Sequence, residues 1–366
     1  LHVDGRINLS AQSASNPSSK YILIGTDLPN SLFNGAVGIG EKVFQNSTTS
    51  HFAVAIGIEA AQNSGGNRNI AIGQRAILGA SGSTGGFNVG IGAQAMLNLT
   101  DGEYNTAVGS YAMHSITSGK NNVAVGAEAL QGNSTGQYNT ALGFTAARLG
   151  SRSNDVSLGY RAGIYGTGTT GNVSIGYRAS EYTSGIDNVL IGNQAGFGAS
   201  DSNFGQTVAV GAFALQHLTT GAKSVAVGYA ALNDLTTGDD NTAVGYRALE
   251  LATTGGNNTA VGREAGDSIT TGTANTLVGA NSDSGGSYNT VVGNGAVAGS
   301  NNFISLFGYG ASGGYEATAV GAYANLAGSE RTVAVGYSAA RNQGANAAYN
   351  HAFGYRSVRY TTGGAN

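Results

Sequence analysis

Asn241-Thr242-Ala243-Val244-Gly245 reads as one short strand ending on glycine. The pattern returns at Asn105-Thr106-Ala107-Val108-Gly109, Asn122-Val123-Ala124-Val125-Gly126, Asn139-Thr140-Ala141-Leu142-Gly143 and Asn258-Thr259-Ala260-Val261-Gly262. A period this dense decides the architecture before any other feature is weighed. The same pattern recurs at 21 motif glycines, at positions 25, 40, 57, 73, 92, 109, 126, 143, 159, 176, 192, 211, 228, 245, 262, 279, 293, 308, 321, 336 and 354. The commonest step is 17 residues; steps of 13 to 15 cluster between Gly279 and Gly336, and steps of 19 precede Gly92 and Gly211.

Strand side chains alternate between faces, so each motif sorts its residues. The residue before the glycine is aliphatic (Ile56, Ile72, Ile91), and the one two earlier is β-branched (Val54, Ile70, Val89). Both lie on one face, and the alanine between them (Ala55, Ala71, Ala107) lies on the other. A second alanine three residues after the glycine (Ala60, Ala112, Ala129) is expected to pack against the first inside a thin coil. The asparagine that starts many motifs is expected to form a ladder of amides between coils. Thr219-Thr220-Gly221, Thr236-Thr237-Gly238, Thr253-Thr254-Gly255 and Thr270-Thr271-Gly272 mark a second turn, where glycine can supply a positive φ. Each unit is therefore read as strand, turn, short strand, turn, which is too short for a helical repeat and suits one coil of a β-solenoid.

Composition narrows the classes. The 366 residues include 61 glycines, 2 prolines and no cysteine, with 41% apolar residues, 10% charged residues and a formal net charge of −3. That apolar content is too high for a disordered linker. No basic stripe marks a nucleic-acid binder, and no apolar run approaches the roughly 18 residues of a membrane-spanning helix. Gly90-Ile91-Gly92-Ala93-Gln94-Ala95 imitates a dinucleotide-binding string, but no strand–helix unit surrounds it. The five histidines lack paired metal-ligand spacing, and no carboxylate pair marks a glycosidase cleft. The reading is non-enzymatic, with no catalytic, cofactor-binding or metal site. The start at Leu1 reads as a segment or processed product of a longer chain.

The expected fold is all-β: a left-handed parallel β-roll or β-solenoid of about twenty short coils. Residues 1–20 form an N-terminal strand or cap, 21–300 the repeat shaft, and 301–366 aromatic-rich coils of the same roll with altered repeat length. Coils stacked at about 4.8 Å would build a rod on the order of 100 Å. The Val/Ile/Thr face stays uncovered in one chain, and such a stripe on a soluble monomer is an association site. The expectation is a parallel homotrimer, intertwined or side by side, closed on a three-fold axis. Val108, Val125, Val210, Val227, Val244 and Val261 form its stripe.

The short repeats, as in Val225-Ala226-Val227-Gly228-Tyr229, resemble the left-handed parallel β-roll heads of trimeric autotransporter adhesins. The 13- to 15-residue part, Ala317-Thr318-Ala319-Val320-Gly321 through Gly336, is most similar to that family. The longer units with Thr-Thr-Gly turns are more similar to repeat regions of phage tail fibres. The resemblance covers about Gly25 to Gly354. It implies extracellular attachment, on a virion tail fibre or a cell surface, with a host glycan or protein receptor and the chain itself as partners. Two other classes stand beside it: a monomeric ice- or surface-binding solenoid, which needs a flat, regular threonine array, and a carbohydrate-degrading solenoid. Ten of the 29 aromatic residues fall in 301–366, and the candidate receptor contacts are Tyr309, Tyr315, Tyr323, Tyr337, Tyr355 and Arg356.

Overall fold

The computed structural model describes residues 6–10, 21–27, 34–47, 50–166, 168–199, 202–325, 331–340 and 351–357. They build an all-β parallel solenoid of about 18 turns, with no helix among the described residues. The chain divides into two compact units, Leu1–Ile186 and Asp187–Asn366. Each unit carries eleven of the 22 strands.

In the first unit, β1 (Arg6–Ser10) pairs antiparallel with β2 (Tyr21–Gly25), which places a capping strand before the first coil. The later strand pairings among the described residues of this unit are parallel and in register. Thr106, Ala107 and Val108 lie against Val123, Ala124 and Val125, a shift of one 17-residue repeat. The second unit repeats the arrangement from Val189–Ile191 to His351–Phe353. There Val225, Ala226 and Val227 lie against Thr242, Ala243 and Val244. In-register stacking places like residues on like, so one sequence rule serves a whole unit.

Ala107, Ala124, Ala226, Ala243 and Ala260 are fully buried, while their strand neighbours point outward. The second alanine row (Ala60, Ala76, Ala112, Ala129, Ala231, Ala248) is also fully buried. The interior nonetheless holds more than alanine. Residues four and seven after the glycine point inward too: Met113 with Ile116, Leu215 with Leu218, and Leu232 with Leu235. Each such side chain removed from water stabilises the coil by about 1.5–3 kcal/mol.

The expected second strand does not form in the 17-residue coils; only one three-residue strand per turn is present. After Gly109 the backbone takes left-handed φ at Tyr111 (59°) and Met113 (49°), which breaks an extended run. Its hydrogen bonds alternate. Tyr111 and Met113 donate N–H to carbonyls of the neighbouring coils, Ala93 (2.9 Å) and Ala129 (2.9 Å), whereas Ala112 and Ile116 donate three residues back, to Gly109 (3.3 Å) and Met113 (3.1 Å). In the shorter coils a second line of parallel bridges does appear, joining Asp283, Val297, Ser312 and Asn325.

Glycine has two separate reasons in each coil. At Gly109, φ is +138°, and an added Cβ would sit 2.5 Å from the Gly126 carbonyl oxygen. The Thr-Thr-Gly glycines are different: Gly221, Gly238, Gly255 and Gly272 are not in the left-handed region. They are glycine because of close approach, since a Cβ on Gly221 would lie 2.5 Å from the Gly238 carbonyl oxygen.

The asparagines form the expected ladder. Asn122 is fully buried. Its Oδ1 accepts the Asn139 backbone N–H (3.0 Å) and the Asn139 amide (2.8 Å), and its own Nδ2 donates to the Gly136 carbonyl (2.8 Å). Asn69, Asn88 and Asn105 repeat this in the first unit, and Asn241, Asn258 and Asn275 in the second. Each buried donor and acceptor is satisfied by the next coil, so the ladder fixes register as well as adding hydrogen bonds.

Candidate recognition surface

Two features of the outer surface are built by the coil rule, and a third feature arises where that rule is interrupted. The first is the strand face. Val108 stacks on Val125, and Val210, Val227, Val244 and Val261 follow one another in consecutive coils. All six point away from the interior of their own unit. Val227, Val244 and Val261 are 36–39% exposed, and Val278 and Val320 continue the row at 38% and 37%.

The second feature is aromatic. Tyr309, Tyr323, Tyr337 and Tyr355 come together in one ladder, with ring centroids 5.3, 5.9 and 5.5 Å apart. Ring geometry follows sequence position. Tyr337 and Tyr355 both directly follow their motif glycines and stack at 14°, whereas Tyr323 stands two after Gly321 and meets its neighbours edge-on, at 81° and 82°. The same rule separates the edge-on pair Phe213–Tyr229 from the stacked pair Tyr229–Tyr246. Such pairs contribute about 0.5–1.5 kcal/mol beyond burial, so much of the ladder is explained by coil-to-coil packing. Arg356 lies over the Tyr355 ring, 5.0 Å from its centroid. Tyr315 stands apart from the ladder: its backbone carbonyl accepts the Arg331 N–H (3.0 Å), and Arg331 bonds Glu316 (2.7 Å), holding that carboxyl below its usual range.

The third feature was not singled out from the sequence. Between Gly143 and Gly176 the coil rule is interrupted. Asp155 takes the ladder position of asparagine, Ser157 and Ser174 take that of the inward alanine, and Gly163 that of the inward leucine or methionine. Arg152 enters the space so released. Its guanidinium donates to the carbonyls of Leu149 (2.5 Å), Gly163 (2.7 Å) and Gly166 (2.9 Å), with Asp155 at 3.9 Å. Asp155 carries the ladder onward, accepting the Asn172 N–H (2.8 Å) and the Thr169 hydroxyl (2.7 Å). Burial pushes the Arg152 guanidinium down to about 10, which leaves it charged at neutral pH. Nearby, fully buried Glu181 is held by Arg161 (2.6 Å) and by Arg178. The readable signal for this region is the departure itself: charged or hydroxyl residues at positions that hold asparagine, alanine or leucine elsewhere.

Beside these groups lies an outward cleft of about 390 Å³, lined by residues of three successive coils, among them Glu128, Phe144, Thr145, Arg148, Tyr160 and Arg161. Among the described residues, no group of three or more His, Asp or Glu side chains is placed to hold a metal ion. No helix among them is long and apolar enough to cross a membrane. The chain matches no protein-family model, and no curated protein aligns with it.

Proposed function

We propose that this chain is a structural attachment fibre of the phage tail-fibre type, a left-handed roll that assembles as a parallel homotrimer outside the cell. The observation that carries this reading is the uncovered Val/Ile face. Val210, Val227, Val244, Val261 and Val278 stand in consecutive coils and stay part-exposed in one chain. A continuous apolar stripe marks an association surface, and a closed cyclic contact covers it without open-ended growth. Three copies then present each outward site three times, so weak single contacts to a host glycan or protein add up through effective concentration. A bacterial trimeric adhesin head is the same reading with different neighbouring domains.

Native mass of the full chain is the test. The proposal expects about three times the 36.5 kDa chain mass, with the band persisting on heating in detergent. A monomer at micromolar concentration contradicts it.

A second reading, of a monomeric ice- or surface-binding solenoid, draws on one specific observation. Thr242, Thr259, Thr276 and Thr290 stack in register on the outward strand face, with Val244, Val261, Val278 and Val292 beside them. This is the regular threonine array that such a protein needs. It requires the face to be free, so a monomer that shows thermal hysteresis would favour it.

A further inference from the structure

The cleft beside Phe144 has features that neither coil packing nor the proposed association explains. Phe144 begins a ladder: it stacks on Tyr160 (5.8 Å, 12°), which stacks on Tyr177 (5.4 Å, 9°). The matching position one coil earlier is Ala127, in a register fixed by the Thr145 N–H bond to the Ala127 carbonyl (2.9 Å). The second face of the Phe144 ring therefore has no aromatic neighbour, and Phe144 is 50% exposed. Such a ring beside polar groups suits the apolar face of a pyranose.

The polar groups of the cleft are incompletely used. Thr145 is 94% buried by its 6% exposure, and its hydroxyl has no hydrogen-bond partner among the described residues. Neither does Arg161 Nε, although Nη2 of the same side chain donates to Glu181 (2.6 Å). Arg148 spends only Nε, on Gln131 (2.9 Å) and Glu128 (2.9 Å), which leaves its two terminal nitrogens without a partner among the described residues. Unmade hydrogen bonds of buried groups are costly, and a ligand oxygen that draws in the Thr145 hydroxyl by a χ1 rotation relieves one of them.

Charge narrows the ligand further. The cleft wall itself carries two guanidinium groups, Arg148 and Arg161, and one carboxylate, Glu128, while Glu181 is fully buried behind Arg161. Guanidinium groups with free parallel N–H donors match a carboxylate. A ring face, a free guanidinium end and an orphan hydroxyl together describe a sugar that carries one carboxylate.

We infer that the Phe144–Thr145–Arg148–Arg161 cleft binds the carboxylate-bearing pyranose of an acidic glycan. The carboxylate meets the terminal nitrogens of Arg148 and the guanidinium of Arg161. The sugar face lies on Phe144, and a ring hydroxyl takes the Thr145 hydroxyl as partner. The cleft lies within the first unit of a single chain and does not use the valine stripe. All of its lining groups therefore come from one chain, and no partner copy is needed to complete it.

The test uses the full 366-residue chain and three probes: methyl glucuronide, methyl glucoside as the neutral sugar, and acetate as the anion without a ring. Saturable binding is read by isothermal titration and by shifts of the Phe144 and Tyr160 ring resonances. The glucuronide is expected to bind about tenfold or more tightly than either control, the difference made by one charge-assisted contact. Thr145→Val and Arg148→Gln are each expected to weaken it by about tenfold. Thr145→Val is isosteric and removes only an unpaired hydroxyl, so its melting temperature is expected to equal or exceed that of the parent. Three results would overturn the assignment: equal binding of glucuronide and glucoside, glucuronide binding unchanged in both variants, or no saturable binding of the glucuronide.

Discussion

Gly109→Ala is expected to unfold the coils around it, with a loss of about 3 kcal/mol or more. Two independent effects add at this position. An L-residue at φ +138° occupies a region open almost only to glycine, at a cost of about 1–3 kcal/mol. Its Cβ would also sit 2.5 Å from the carbonyl oxygen and 2.6 Å from the carbonyl carbon of Gly126, so the two coils must separate locally. Separation disturbs the strand pairing of Thr106–Val108 with Val123–Val125. In a repeat structure the loss falls on nearest neighbours first. Hydrogen exchange of the amides of residues 106–125 should therefore accelerate more than that of residues 242–261 in the other unit. Gly82→Ala is the control, because nothing lies within 4 Å of a Cβ there and only its φ of +81° is strained. Equal stability of Gly109→Ala and the parent would show that the coils are not held as close as described.

Asn122→Ala is the second large effect, expected to cost about 3–5 kcal/mol. Removing the amide takes away the acceptor of both the Asn139 N–H and the Asn139 side chain, together with the donor to the Gly136 carbonyl. The groups left behind are buried, and each unsatisfied one costs about 1–3 kcal/mol. Lys120→Ala, two residues away, removes only an exposed pair with Glu103 and is expected to leave stability nearly unchanged. Denaturant unfolding of the two variants checks the contrast. Similar losses in both would mean that the ladder is no more than a surface decoration.

These two expectations rest on the parts of the fold that were plainest in the sequence. A fixed asparagine, an inward alanine and a glycine at constant spacing admit few stacking registers, so Asn122, Ala124 and Gly126 could be placed from spacing alone. The rest of each coil was harder to read for a physical reason. Four residues after the glycine, the inward position holds Ala61, Ile77, Met96, Met113 or Leu130, a set too varied to show a period. Those residues adopt left-handed φ although none is glycine, and local preference gives no sign of it. There the contacts between coils override propensity, which also turns the expected second strand into a chain of turns.

The candidate sites divide in the same way. The tyrosine ladder was legible because Tyr309, Tyr337 and Tyr355 share one repeat position. Tyr323 joins it from the next position along, and Tyr315 lies off it. The cleft at Phe144 was not legible, because its groups come from three coils and their meaning depends on which hydrogen bonds remain unmade. Arg152 and Asp155 could have been noticed as departures from the rule, although their burial could not.

The proposed interface between copies is tested most directly by chemistry at one residue. The chain has no cysteine, so Val244→Cys introduces a single thiol at the centre of the stripe. In a parallel assembly with the valine face inward, Cys side chains at this position in different copies face one another across the axis. Treatment of the variant with a short bis-maleimide at micromolar concentration should then give covalently linked chains in high yield, while the same thiol placed by Lys120→Cys on the outer turn should give little. Equal and low cross-linking at both positions would contradict the account and leave the valine face without a partner chain.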